Sequence, residues 1–308
     1  MKKLALLVLM VGCGVDKQPL PDFLPSLNPD PAPRGGFQLV TPVTDKLAPG
    51  SDTEMCTWTD KITTEQTDVR WTQGYQSEPG GHHIVLYYTM IHQPPGTSRV
   101  CTDVDMATFR LVSGNGEAGT RNIAPGNLVY RIPAGAQLVM NHHWLNTTDQ
   151  AVLGQAVLNV SPAEPGANYV PSGNTAILDT SIDIPPGHYE KDIHCTFDRT
   201  MKLWYLIPHE HAYGSHMSIK LTRAGTQETP FDIDWSPSFT FHPPEDRRDP
   251  GDPMVVQPGD SVDVACQWEN TTDHDLLFGP EMCVAFGQFV DDQNKGNWAC
   301  DGGRWSDF

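Results

Sequence analysis

The sequence predicts an all-β protein built as two tandem antiparallel β-sandwich domains, jelly-roll-like, with a cleft between them. Three observations predict it. First, short β-rich runs recur along the chain: His83 to Thr89, Gln137 to Trp144, Met201 to Ile207, Met217 to Leu221, Ser261 to Trp268 and Val284 to Val290. Turn signals such as Pro125-Gly126, Pro186-Gly187 and Pro258-Gly259-Asp260 separate them, among 27 Gly and 27 Pro in all. Strands at this spacing suit sandwiches or barrels, and long helical periodicity is absent. Second, there is an internal echo. Gly135 leads in nine residues to Trp144 and then to Asn146-Thr147-Thr148-Asp149; Gly259 leads in nine to Trp268 and then to Asn270-Thr271-Thr272-Asp273. Turn chemistry is limited, but identity at Gly, Trp and all four turn residues favours duplication. Third, the chain is long enough beyond its first segment for one large or two ordinary domains.

Residues 1–12 are read as an export signal. Lys2 and Lys3 precede the apolar run Leu4 to Val11, which is far too short to span a bilayer. Met10-Val11-Gly12-Cys13 resembles a bacterial lipobox, although Leu is more usual where Met10 stands. By that resemblance Cys13 is the lipidated first residue of the mature chain, anchored in the cell envelope. Residues 13–36 contain Pro19, Pro21, Pro25, Pro29, Pro31 and Pro33 and are expected to form an extended tether. Folded structure is expected from about Phe37, with an N-terminal domain over 37–184 and a C-terminal domain over 185–308.

The formal charge is −18, and loss of Lys2 and Lys3 with the signal takes it to −20. So acidic a chain has no footprint for nucleic acid. Of seven cysteines, Cys13 is assigned to the anchor. The remaining six are Cys56, Cys101, Cys195, Cys266, Cys283 and Cys300, an even number that favours disulfides in an exported chain. Six cysteines allow 15 pairings, and their spacing does not choose among them. There is no C-x-x-C, which argues against a zinc ribbon or a thioredoxin-type centre.

Histidine placement carries the functional signal. In Leu206-Ile207-Pro208-His209-Glu210-His211 an apolar run ends in two histidines two apart. On a strand they share one face and can meet one metal ion. Imidazole suits copper, zinc, iron and nickel alike. Gly80-Gly81-His82-His83 opens another strand, where adjacent side chains point to opposite faces unless the backbone twists, as the glycines allow. Asn141-His142-His143-Trp144 closes a third. Met282, in Glu281-Met282-Cys283, offers a thioether, which suits Cu(I) and not zinc or magnesium; core filling is the ordinary role of a methionine.

In this order and spacing, His82-His83, His143, His209-Glu210-His211 and Glu281-Met282-Cys283 resemble the copper type II, ascorbate-dependent monooxygenases, from about Glu54 to Cys300. That family includes peptidylglycine α-hydroxylating monooxygenase and dopamine β-monooxygenase. The resemblance implies two copper ions. His82, His83 and His143 match the electron-storing site; His209, His211 and Met282 match the site where oxygen is activated. It implies the disulfides Cys56–Cys101, Cys195–Cys300 and Cys266–Cys283. It also implies hydroxylation of a C–H bond with O2 and a reductant such as ascorbate. His142 falls where the family usually has an aliphatic residue and is not assigned as a ligand. His92, His188, His194, His216, His242 and His274 match no ligand position and read as surface or hydrogen-bonding residues. Where amidating members hold a peptide carboxylate, this chain has Ile207, Val284 and Phe286, all apolar. A buried anion would find no partner there, so the expected substrate is a small apolar or aromatic non-peptide molecule. The competing expectation is a copper-binding lipoprotein that stores, delivers or senses copper without turnover.

Overall fold

The computed structural model describes residues 23–240 and 242–307. The expected signal segment and the lipidation site Cys13 lie outside the described residues.

The first half of the chain forms β1 (Phe37–Val40), β2 (Asp52–Ile62), β3 (Thr67–Gln76), β4 (Gly81–Thr89), β5 (Ser98–Val100), helix α1 (Asp103–Thr108), β6 (Arg110–Asn115), β7 (Arg121–Ile123), β8 (Leu128–Ile132), β9 (Gln137–Leu145) and β10 (Ala156–Pro162). The second forms β11 (Val170–Leu178), β12 (Asp183–Ile184), β13 (Gly187–Thr196), β14 (Met201–His209), β15 (Gly214–Arg223), β16 (Thr226–Asp234), β17 (Asp246–Arg247), β18 (Met254–Val256), β19 (Ser261–Asn270), β20 (Leu276–Leu277), β21 (Val284–Val290), β22 (Trp298–Asp301) and β23 (Arg304–Asp307). The fold is all-β, as expected, and its sheets are mostly antiparallel.

A long sheet, β1-β10-β3-β8-β11-β21-β14-β17, runs through both halves. A five-stranded sheet, β5-β2-β9-β4-β6, accompanies the first half, and a four-stranded sheet, β13-β19-β15-β16, the second. One apolar core includes Leu39, Leu86, Leu138, Trp144 and Leu158; another includes Ile193, Leu206, Ile219, Val264 and Trp268. Strand β19 shows why the second sheet forms: its burial alternates, with Val262, Val264, Cys266 and Trp268 inside and Asp263, Ala265 and Gln267 between them. That period-2 pattern fits a sheet with one wet face. Strand β9 is buried almost throughout, because its outer face is covered by Cys101, Met106 and Phe109 on and around α1.

The pairing pattern of the first half recurs in the second. β2-β9-β4-β6 matches β13-β19-β15-β16, and β1-β10-β3 with β8 matches β11-β21-β14 with β18. The echoed turns fold alike. Oδ1 of Asn146 accepts from the backbone N and the hydroxyl of Thr148 at 3.0 and 2.7 Å, and Asn270 does the same with Thr272 at 3.0 and 2.7 Å. Trp144 and Trp268 are both fully buried. Strand β11 joins the halves, since it pairs with β8 on one side and β21 on the other.

Contacts begin earlier than the expected start at Phe37. Leu27 is buried, and Asp30 accepts hydrogen bonds from Gln38, Gln73 and Asn159. A Pro-rich stretch has fewer backbone donors to offer, but its carbonyls and the Asp30 carboxylate can still accept side-chain amides.

Three disulfides close the fold: Cys56–Cys101, Cys195–Cys300 and Cys266–Cys283. These are the pairs the family resemblance implied. They place the chain in an oxidising, exported environment. Among the described residues no helix is long and apolar enough to cross a membrane. Cys195–Cys300 spans 105 residues and ties β13 to β22. Its removal by Cys300→Ala is expected to cost about 2–5 kcal/mol. Thermal or urea unfolding of that variant checks this, and a loss below about 1 kcal/mol would count against a stabilising bridge.

Candidate metal centres

The first cluster is built at the ends of β4 and β9. His83 lies directly opposite His143 in the ladder, so both side chains share a face. His82 would point away in a regular strand. The ladder, however, slips between Gly81 and His83, and such a bulge re-aims a side chain. Gly80 sits at φ 108°, and a Cβ on Gly81 would stand 2.5 Å from the Cβ of Gln76. The two glycines therefore permit a turn that other residues would block. The result brings a ligand nitrogen from each of His82, His83 and His143 within 4.8 Å of one another. Nδ1 of His82 and Nδ1 of His83 are 3.0 Å apart.

The electrostatics favour the ligand form. Burial, aided by the imidazoles of His143, His82 and His242, holds His83 down to about 3. His82 is lowered as well, first by burial and then by His143 and His242. A neutral imidazole is the form that binds metal. Nε2 of His143 is paired with the Asp52 carboxylate. A carboxylate on the second nitrogen is the usual support for a ligating histidine.

The second cluster stands at the end of β14. Nε2 of His209 and Nε2 of His211 face each other at 3.1 Å. Nδ1 of His211 donates to the carbonyl of Pro280 at 3.0 Å, so its Nε2 carries the lone pair. Burial and then His211 push His209 down to about 3. Met282 is half-buried among Ala176, Val284 and Ala299. It stands two residues before Val284, which lies opposite His209 in the β14–β21 ladder. The Cys266–Cys283 bridge fixes the neighbouring residue to β19.

One side chain joins the two ligand segments. Glu281 is fully buried. Its carboxylate accepts from the backbone N–H of His211 at 3.0 Å, of Tyr213 at 2.7 Å and of Met282 at 3.3 Å, and from the indole of Trp268 at 3.1 Å. Glu210, also fully buried, lies near it; burial and then the charge of Glu281 raise its carboxyl to about 10. Glu281 has a positioning role that the sequence reading did not assign.

His142 is a core residue, in line with its omission from the ligand set. It is fully buried, accepts from the Trp144 indole at 2.8 Å on Nδ1, and stands 2.9 Å from the Thr57 hydroxyl on Nε2. His92 bonds the Gly135 carbonyl, and His188, His194, His216 and His274 pair with carboxylates. His242 is exposed, as expected, and its ring lies 5.6 Å from that of His82. Nothing in the sequence links positions so far apart.

The apolar trio is brought together in the ladder, where Ile207 faces Phe286, but unequally presented. Val284 is fully buried against Ala176 and Ala299, Ile207 is half-buried, and Phe286 is 38% exposed with its ring 5.5 Å from that of His209.

The donor types suit copper: imidazoles, of which burial lowers His82, His83 and His209, with a carboxylate on the second nitrogen of His143 and a carbonyl on that of His211, and a thioether, Met282, two residues before the ladder partner of His209. No protein-family model and no curated protein matches the chain. Among solved structures, one described as "Structure of infectious bursal disease virus Gx strain" is similar over 85% of this chain and 73% of that chain. Its sequence identity is 8% and its TM-score 0.20. A likeness so slight carries no argument.

Proposed function

We propose that this chain is a two-centre copper monooxygenase, in which two tandem β-sandwich domains each carry one copper site. It hydroxylates a C–H bond of a small apolar or aromatic molecule with O2 and a reductant such as ascorbate. In this reading it is an envelope lipoprotein anchored through Cys13. One observation carries the proposal: His82, His83 and His143 bring ligand nitrogens together in one half, His209 and His211 face each other in the other, and Met282 stands two residues before Val284, the ladder partner of His209.

Copper, when bound, supplies one-electron chemistry with O2; the protein supplies placement. His82, His83 and His143 hold one ion, and Asp52 fixes the orientation of His143. His209, His211 and Met282 hold the other, whose softer donor set favours the reduced metal. Glu281 keeps the His211 and Met282 segments in register. Phe286 offers an exposed aromatic face beside His209 and no charge with which to bind an anion.

The copper-loaded protein tests this in an ascorbate-driven oxygen-uptake assay with phenylalkylamines, neutral aromatics and a glycine-extended peptide. Uptake with the amines or aromatics and none with the peptide is expected, because an apolar site rejects an unpaired carboxylate. The second reading, a copper-binding lipoprotein without turnover, draws on the burial of Val284, which leaves Phe286 as the one well-exposed member of the trio. Copper retained with no substrate-dependent uptake would decide for it.

A further inference from the structure

We propose that His242 is a fourth imidazole for the three-histidine cluster, and that a metal held there fastens the 235–242 segment as a strap between the two centres. The inference rests on the reading of His82, His83 and His143 as a metal site.

The rings of that cluster lie 4.9–5.2 Å apart, centre to centre. His242 lies 5.6 Å from His82, tilted by 46°. Its side chain is exposed, so it can turn inward without breaking a core. It is not among the three residues whose ligand atoms lie within 4.8 Å of one another; capture therefore needs a change of rotamer, which is small for an exposed side chain. Copper takes four nitrogens readily in tetragonal geometry, and the cluster alone supplies three.

The segment that delivers His242 is bonded to the other centre. The Trp235 indole donates to the carbonyl of His211 at 2.9 Å, and the Trp235 amide donates to Ser215 at 2.9 Å. The Thr240 hydroxyl donates to the carbonyl of Glu210 at 3.2 Å. The short helical turn Pro237–Thr240 lies between these anchors, Trp235 packs edge-on to Phe239, and the His242 amide donates to Ser238 at 3.1 Å. One end of the strap thus rests on the His209–His211 pair and the other reaches His82. Metal at the first centre would order backbone that touches the second.

The test uses the mature chain in a His209→Ala background, so that only the first cluster is read. Cu(II) is titrated against a competing chelator, and amide hydrogen exchange over 235–242 is followed with and without metal. In that background, copper is expected to bind and to slow exchange in the segment. Adding His242→Ala should weaken binding about tenfold or more, on the scale of lost supporting groups at metal sites, and abolish the protection. Adding His83→Ala should remove binding. Unchanged affinity and unchanged protection in the His242→Ala chain would overturn the proposal while leaving the three-histidine site standing. Failure of the His209→Ala chain itself to take up copper would overturn both.

Discussion

Replacing Glu281 with leucine is expected to destabilise the protein by about 3–6 kcal/mol. The carboxylate accepts from the amides of His211 and Tyr213 and from the Trp268 indole, as well as from its neighbour Met282. Leucine has nearly the same volume and no acceptor. Three donors, the Trp268 indole buried and the His211 and Tyr213 amides partly so, would lose their partner, at about 1–3 kcal/mol each. Some of that loss is offset, because Glu210 would no longer feel the charge that helps raise its carboxyl. Glu281→Gln keeps one acceptor oxygen and should cost distinctly less. Urea midpoints at unchanged slope measure both. A Glu281→Leu variant within about 1 kcal/mol of the parent would show that those donors find other partners, and that Glu281 does not set the second centre.

Acid should destabilise the metal-free protein steeply, and His142 should account for one proton of the effect. Burial holds its imidazole down to about 3. Nδ1 already accepts the Trp144 indole proton, so Nε2–H donates to Thr57, whose hydroxyl can pass its own proton to Ser98 at 2.8 Å. A second ring proton would confront the indole N–H. The folded pKa lies below the unfolded value of about 6.5, so the unfolded chain takes the proton first on acidification. The contribution is complete above pH 6.5 and falls by about 1.4 kcal/mol per pH unit between 6.5 and 3. A His142→Gln variant should therefore lose less stability than the parent between pH 6 and 4, by about 2–3 kcal/mol. Parallel pH profiles for the two proteins would contradict the neutral, fully bonded His142.

Much of this architecture is legible in the residues. All six β-rich runs become strands, and Val284–Val290 forms one with those same bounds. The echoed Asn-Thr-Thr-Asp residues become two turns closed by the same bonds from the Asn side chain. Other elements left a weak trace. Strand β13 alternates, but its inward positions include Lys191, paired with Asp179 at 2.8 Å, so its apolar face reads as broken. Helix α1 is too short to show a helical period; its signal is the Thr102–Asp105 capping box. The bulge at His82 was foreshadowed by the glycine pair. The place of His242 was not, since only the folded chain brings its ring beside that of His82.

Copper stoichiometry tests the central claim most directly. Metal analysis of the copper-loaded, folded protein should find two ions per chain. His83→Ala should retain one, and His209→Ala should retain the other. A parent chain with a single copper, or a His83→Ala variant with none or two, would contradict two independent centres.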